Sequence, residues 1–198
     1  MPITGRTPKQ CFDRFAGHVR SLVAKTLTDH HHLLLVRHDE EQMKLSFHEG
    51  DDPIAIPLKT KGHGKVYFYV GQLLRVHREA KEFRLSTQKY WYGLQDSPSL
   101  NAQAALRWEY ERELEPGKRH CRHHIHQRVK LSLGDGQLNL NKTHVPTGWV
   151  TIEEVIRFLI VDLGIMPPCG DEWPKVLENS ERPFFEEFSS KRYLPPRP

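Results

Sequence analysis

The stretch KVYFYVGQLLRVHREAKEFRLSTQKYWYGL, Lys65 to Leu94, decides the fold, because its apolar residues recur with a period near two. This period predicts two long β-strands, Lys65–His77 and Phe83–Leu94, the first with a bulge at Gly71. Shorter strands are predicted on both sides, at Leu33–Val36, Met43–Phe47 and Leu106–Tyr110. Ile54 and Ile56 alternate between Pro53 and Pro57, which predicts an edge strand or a bend. We therefore expect a sheet in the middle of the chain.

Helical periodicity is present towards both ends of the chain. The apolar residues of Pro8–Leu27 recur every three or four positions, and Thr7 before Pro8 suits a helix N-cap. Nearer the C terminus, Thr151-Ile-Glu-Glu154 has the pattern of a capping box ahead of an apolar stripe that stops before Gly164. Weaker helical segments are expected at 173–178 and 184–189.

This order of elements predicts an α+β fold with a meandering, mostly antiparallel sheet, an N-terminal amphipathic helix and C-terminal helices. We expect one domain over 1–198. Its parts are the N-terminal helix (1–30), the sheet (31–145), the helical region (146–190) and an extended tail (191–198).

Composition limits the class of protein. Of the 198 residues, 37% are hydrophobic and 10% aromatic, which is enough for a core and argues against global disorder. The sequence shows no secretory signal and no run of 18 apolar residues. Its three cysteines, Cys11, Cys121 and Cys169, are widely spaced. We therefore predict a cytoplasmic protein with reduced thiols and no membrane partner.

The segment RHCRHHIHQRVK, residues 119–130, lies in a predicted strand Cys121–Leu133 that ends at a hairpin turn. Alternation places five ionisable side chains on one face, about 6.6–7 Å apart. These are Arg122, His124, His126, Arg128 and Lys130. Arginines bind phosphate and histidines transfer protons near neutral pH, so the row is a candidate anion-binding surface. The alternative is a solvated edge strand whose charges prevent aggregation.

The pair His124-Ile-His126 also has the spacing of metal ligands on one face of a strand. His144, beyond the hairpin, is a candidate third ligand. Against a metal, Arg122 and Arg128 flank the pair, and no Glu follows His126 at the cupin spacing. The sequence therefore assigns no metal and no cofactor, and a histidine-ligated metal enzyme stays an alternative.

Common catalytic motifs are absent from the sequence. It contains no P-loop, GxGxxG, GxSxG or HExxH pattern. The paired carboxylates Asp51-Asp52 suit a loop, and in the pair Glu153-Glu154 the second residue has a capping role. Neither pair is assigned to catalysis.

Four segments together resemble a loose group of uncharacterised bacterial proteins: Leu106–Arg112, His124–Gln127, His144–Gly148 and Glu153–Ile160. The group shares an R-[WY]-[DE]-Y strand, a histidine-containing strand, an [HR]-[IV]-P segment and an apolar helix. The chain is more loosely similar to small toxin-like proteins of the TumE kind. The resemblance implies an architecture and, for some members, defence-associated functions.

Three functions follow as hypotheses. The first is a protein that binds RNA or another phosphate polyanion, including a metal-independent ribonuclease-like toxin or defence factor. Its acid–base residues would be His124, His126 and His144, and its phosphate ligands would be Arg122, Arg128 and Lys130. The second is a non-catalytic module that binds a protein partner. The third is the metal enzyme.

Overall fold

The computed structural model describes residues 3–28, 33–37, 39–61, 64–114, 117, 121–133, 136–140 and 143–190. This part of the chain forms three α-helices and twelve strands. The helices are α1 (Pro8–Thr26), α2 (Ile152–Val161) and α3 (Trp173–Ser190). The strands are β1 (Thr4–Gly5), β2 (Leu33–Arg37), β3 (Gln42–Glu49), β4 (Asp52–Pro53), β5 (Ile56–Thr60), β6 (Gly64–Glu79), β7 (Glu82–Gln95), β8 (Leu106–Glu111), β9 (His123–Gln127), β10 (Lys130–Leu133), β11 (Gly136–Asn139) and β12 (Val145–Pro146).

Ten strands form one antiparallel sheet, which confirms the predicted α+β class. The main strand order is β12-β9-β8-β7-β6-β3-β2, and β1, β4 and β5 pair with β7, β3 and β6. The remaining two strands, β10 and β11, form a separate hairpin. Because β6 to β9 are neighbours both in sequence and in space, this half of the sheet is a meander, as predicted.

The two long predicted strands are confirmed as β6 and β7, but the predicted bulge at Gly71 is wrong. The register between these strands shifts instead at Leu73/Leu74. Gly71 is paired regularly with Trp91, whose indole lies directly over it. A Cβ at position 71 would come within 1.9 Å of the indole Cε2 atom, so this glycine serves close packing.

The prediction of one strand over Cys121–Leu133 is also wrong. β9 ends at Gln127, opposite Leu106, which is the first residue of β8. Beyond that point β9 has almost no partner strand left to pair with, and the chain leaves the sheet. It resumes at Lys130 as β10, which pairs with β11.

Local capping signals predict the helix starts correctly. The backbone N–H of Gln10 donates to Thr7 Oγ1 at the start of α1, and both bonds of the Thr151–Glu154 capping box form at α2. The two weaker helical segments form one helix, α3, which continues through Pro183. The predicted tail, 191–198, lies outside the described residues. Within the described residues, no helix is both long and apolar enough to cross a membrane.

The three helices cover one face of the sheet, which we call the inner face. Alternation along β7 and β8 turns aromatic side chains into this core, namely Tyr90, Tyr92, Trp108 and Tyr110. Phe158 of α2 packs edge-on against Trp108, with ring centroids 5.6 Å apart. The residues between them in sequence, such as Trp91 and Glu109, lie on the opposite, outer face.

We expect Leu177→Ala to lower the free energy of unfolding by about 2–5 kcal/mol, because Leu177 anchors α3 in the core and is fully buried. Urea denaturation followed by circular dichroism measures the change. The control is Glu178→Ala, which removes an exposed side chain and should change stability by a few tenths of a kcal/mol. Equal stability of Leu177→Ala and wild type would contradict the docking of α3.

Candidate functional site

Strand β9 presents its histidines alternately to the two faces of the sheet. His123 lies on the inner face, with its ring stacked 4.4 Å from that of Tyr110 and 5.3 Å from that of Trp149. His124 and His126 lie on the outer face and are only 3% and 9% exposed. β12 pairs along the far side of β9, so the alternative of a solvated edge strand is wrong at these two positions.

His144 joins these two residues because of the β12 register. Pro146 pairs with His124, so the same register places residue 144 opposite His126. The centroids of the three imidazole rings are 4.6–5.0 Å apart, and their ligand nitrogens all lie within 4.8 Å of one another. We call His124, His126 and His144 the histidine cluster. The structure thus brings together the three residues proposed for acid–base chemistry.

A carboxylate that the sequence did not single out completes this arrangement. Glu109 of β8 is paired with His124, and its Oε2 atom lies 3.1 Å from Nε2 of both His124 and His126. The alternation of β8 is the sequence signal that could have identified Glu109, because it places Arg107 and Glu109 on the face opposite Trp108. Consecutive antiparallel strands then bring that face beside the histidines of β9.

Two contacts hold these groups in place. His124 Nδ1 lies 2.8 Å from the carbonyl oxygen of Cys121, which can only accept a hydrogen bond. Nδ1 therefore carries the proton, and Nε2 faces Glu109. On the other side, Arg107 Nε lies 2.8 Å from Glu109 Oε1, in an ion pair. The carboxylate is thus fixed between a guanidinium group and two imidazoles.

The predicted row of basic side chains is interrupted on the C-terminal side of the cluster. Arg122 is exposed just before β9, and Lys130 begins β10 in the other sheet. Arg128 forms an ion pair with Asp96, at 2.6 Å, and holds the pKa of that carboxyl below its usual value. Lys130 therefore lies outside the sheet that carries the cluster, and the Arg128 guanidinium is engaged by Asp96.

An open pocket of about 410 Å³ lies in front of the histidine cluster. Four charged residues line it, Lys89, Arg107, Glu109 and Glu111. Lys89 pairs with Glu111, and Arg107 pairs with Glu109. The formal charges of these four residues cancel, so any cation bound by the imidazoles would make the pocket positive.

His123 gives a pH-dependent prediction. Burial, with further contributions from Arg122 and His124, lowers the pKa of His123 below the ordinary value. A depressed histidine pKa means that the unfolded state binds protons first. The contribution of His123 to the free energy of unfolding is therefore fully present above about pH 6.5, and it decreases as the pH falls below that value. His123→Phe keeps a stacked ring. We expect its melting temperature to fall less than that of wild type when the pH is lowered from 7.5 to 5.5.

Melting is followed in EDTA, so that metal binding does not contribute. His77→Gln, an exposed site, is the control and should behave as wild type. The same acid-induced loss in His123→Phe and wild type would show that His123 is not responsible.

No protein-family model, curated protein or solved structure matches this chain. The resemblance to uncharacterised bacterial proteins and to toxins of the TumE kind therefore stays a prediction.

Proposed function

We propose that the histidine cluster and Glu109 bind a divalent first-row transition metal, and that the protein is a metal-dependent enzyme. The observation that carries this proposal is the convergence of three imidazoles at one point of the outer face, with the Glu109 carboxylate in contact with two of them. Imidazole and carboxylate are common ligands of zinc, iron and related metals. This proposal differs from the sequence-based assignment of no metal, which rested on the flanking Arg122 and Arg128 and on the absence of a Glu at the cupin spacing.

The distances fit a coordination sphere. Ligands 2.0–2.1 Å from a metal lie about 2.9–3.4 Å apart, depending on whether the geometry is octahedral or tetrahedral. Glu109 Oε2 lies 3.1 Å from the Nε2 atoms of His124 and His126, within this range. The three imidazoles need only a modest closing movement, since their ligand nitrogens already lie within 4.8 Å of one another.

The protonation pattern supports the same assignment. With Nδ1 of His124 donating to Cys121, the neutral ring presents a lone pair at Nε2 towards the Glu109 carboxylate. Two lone pairs at 3.1 Å repel each other unless a proton or a metal ion lies between them. A histidine ligand whose other nitrogen donates to a backbone carbonyl is the usual arrangement in metal sites, and a ligating carboxylate is commonly held by a further hydrogen bond. Arg107 supplies that hydrogen bond here, from Nη2 to Glu109 Oε2 at 3.3 Å, beside the ion pair of its Nε with Oε1.

The charge of the pocket points to an anionic substrate. Because the four charged residues that line it cancel, a bound divalent ion leaves a net positive site. We infer metal-assisted hydrolysis of a phosphate ester. A metal held by His124, His126 and His144 would supply Lewis acidity, which activates water for attack on phosphorus. The P–O ester bond would then break, with the leaving oxygen taking a proton from solvent.

A second candidate is the metal-independent binding or cleavage of RNA by the same residues. Trp91 favours it, because its half-buried indole lies on the outer face beside the histidine cluster, with Lys44 Nζ 5.4 Å from the ring centroid. An aromatic ring next to a positive charge is typical of sites that stack nucleobases. In this case an imidazolium–carboxylate pair at His124 and Glu109 would take the place of the metal.

The proposed compartment is the cytoplasm. Cys11, Cys121 and Cys169 form no disulfide bond, which supports a reducing environment.

We expect untagged protein, reconstituted and then dialysed, to retain about one metal ion per chain. Mn, Fe, Co, Ni and Zn are tried separately, and metal content is measured by mass spectrometry. His126→Ala should lower the affinity by more than tenfold, because it removes a ligand. His77→Ala, which removes a histidine outside the cluster, should bind as wild type. If no metal is retained by the wild type, or if both variants bind alike, the metal centre is excluded.

The two candidate functions differ in their response to chelation. If the metal centre is catalytic, hydrolysis of bis(p-nitrophenyl) phosphate or a short RNA should stop in EDTA and return with the metal that binds. RNA cleavage that persists in EDTA and is lost in His124→Ala would favour the metal-independent candidate. Salt-dependent RNA binding that weakens in Arg122→Ala/Arg128→Ala would then support the predicted phosphate contacts.

A further inference from the structure

A second cavity, of about 440 Å³, lies on the inner face, between the sheet, α1, α3 and the segment that leads into α2. Its walls are largely apolar and aromatic, including Tyr90, Tyr92 and Trp149. A pocket of this size with a few convergent polar groups is the usual form of a small-molecule site. It is on the opposite face from the histidine cluster, and its residues take no part in the proposed function.

The deepest charged group of this cavity is Glu153, which is 7% exposed. Ser180 Oγ donates a hydrogen bond to Glu153 Oε1 at 2.5 Å, and His18 Nε2 lies 2.9 Å from the same hydroxyl. Burial raises the pKa of the Glu153 carboxyl, but the hydrogen bonds of His18 and Ser180 outweigh it and leave the pKa below its ordinary value. The cavity therefore contains a buried carboxylate that is ionised at neutral pH.

The charge of this carboxylate is stabilised by its place in the first turn of α2, by its own backbone N–H and by Ser180, and no Lys or Arg among the described residues forms an ion pair with it. The basic group that approaches it is His18, whose Nε2 lies 4.0 Å from Glu153 Oε1 and whose side chain is more than one-third exposed. Arg84 and Arg112 also line the cavity, but they lie nearer solvent. Arg84 pairs with Glu79, and Arg112 donates to the carbonyl oxygen of Thr87. The carboxylate thus lies in the buried part of the cavity, and the two arginines are engaged elsewhere.

A buried acceptor lies in the same wall. Gln72 is 5% exposed, and its Nε2 donates to the Tyr92 hydroxyl at 2.5 Å. Its Oε1 atom is buried without a hydrogen-bond partner, which is costly for a polar atom in a protein interior. The Tyr90 hydroxyl accepts a bond from the Val150 N–H. The buried acceptors of the lining are thus Gln72 Oε1 and the Glu153 carboxylate, beside the hydroxyls of Tyr90 and Tyr92.

The aromatic walls favour the same ligand chemistry. Tyr90 and Tyr92 stack with centroids 4.7 Å apart, and Trp149 meets Tyr90 edge-on at 6.1 Å. Aromatic faces attract ammonium and guanidinium groups, most strongly where water is excluded. We propose that this cavity binds a small organic cation, an amine with a flat apolar body, through Glu153 and Gln72.

The test measures binding to the full chain in EDTA, so that the result does not depend on the metal centre. Tryptamine is compared with indole-3-ethanol, its neutral analogue, and with indole-3-acetate, by titration calorimetry. We expect the amine to bind about tenfold or more tightly than the alcohol, because it adds a charge-assisted hydrogen bond in a buried site. The carboxylate should not bind.

Glu153→Gln should remove the preference for the amine, and Glu154→Gln is its matched control. Glu154 is the neighbouring carboxylate of the capping box, and glutamine keeps that box. Gln72→Leu is a second variant, which should weaken amine binding several-fold even if Glu153→Gln fails to fold. Equal binding of amine and alcohol by the wild type would overturn the proposal. So would amine binding that both Glu153→Gln and Gln72→Leu leave unchanged.

Discussion

The pairing of β6 with β7 is the constraint on which both candidate sites depend. Its register runs from Tyr67 opposite Gln95 to Glu79 opposite Glu82, and it decides which face of β7 the helices cover. β8 pairs with β7, and β9 pairs with β8. The face to which a side chain of β8 or β9 points is therefore set by the residue paired with it on the preceding strand. A slip of one residue would exchange the two faces. It would turn Glu109 into the apolar core.

The histidine cluster lies where this meander ends, so the sheet holds its three residues to different extents. His124 and His126 are held on β9, between two paired strands. His144 precedes a strand of two residues and is exposed. Two ligands are therefore fixed by the sheet and the third is reached from solvent. A metal ion or a substrate can approach from that side without opening the core.

The sequence predicts what depends on neighbouring residues and misses what depends on distant partners. Helix caps at Thr7 and Thr151 are local interactions, and the structure confirms both. Alternation continues through Cys121–Leu133, but β9 ends where β8 runs out of residues to pair with it. The fourth group of the site was sought downstream of His126, whereas the fold supplies Glu109 from the preceding strand. Spacing along one chain segment cannot reveal a ligand on another strand.

The negative charges of Glu109 and Glu153 are stabilised in different ways. Glu109 is partly exposed and is compensated at contact distance by Arg107, so its charge costs little to maintain. Glu153 is more deeply buried, and its contacts are a hydroxyl and a partly exposed imidazole. Hydrogen bonds, His18 and the first turn of α2 keep it ionised, although burial opposes its charge. The retained charge, beside an unsatisfied amide oxygen of Gln72 and stacked tyrosines, is what a bound cation would compensate.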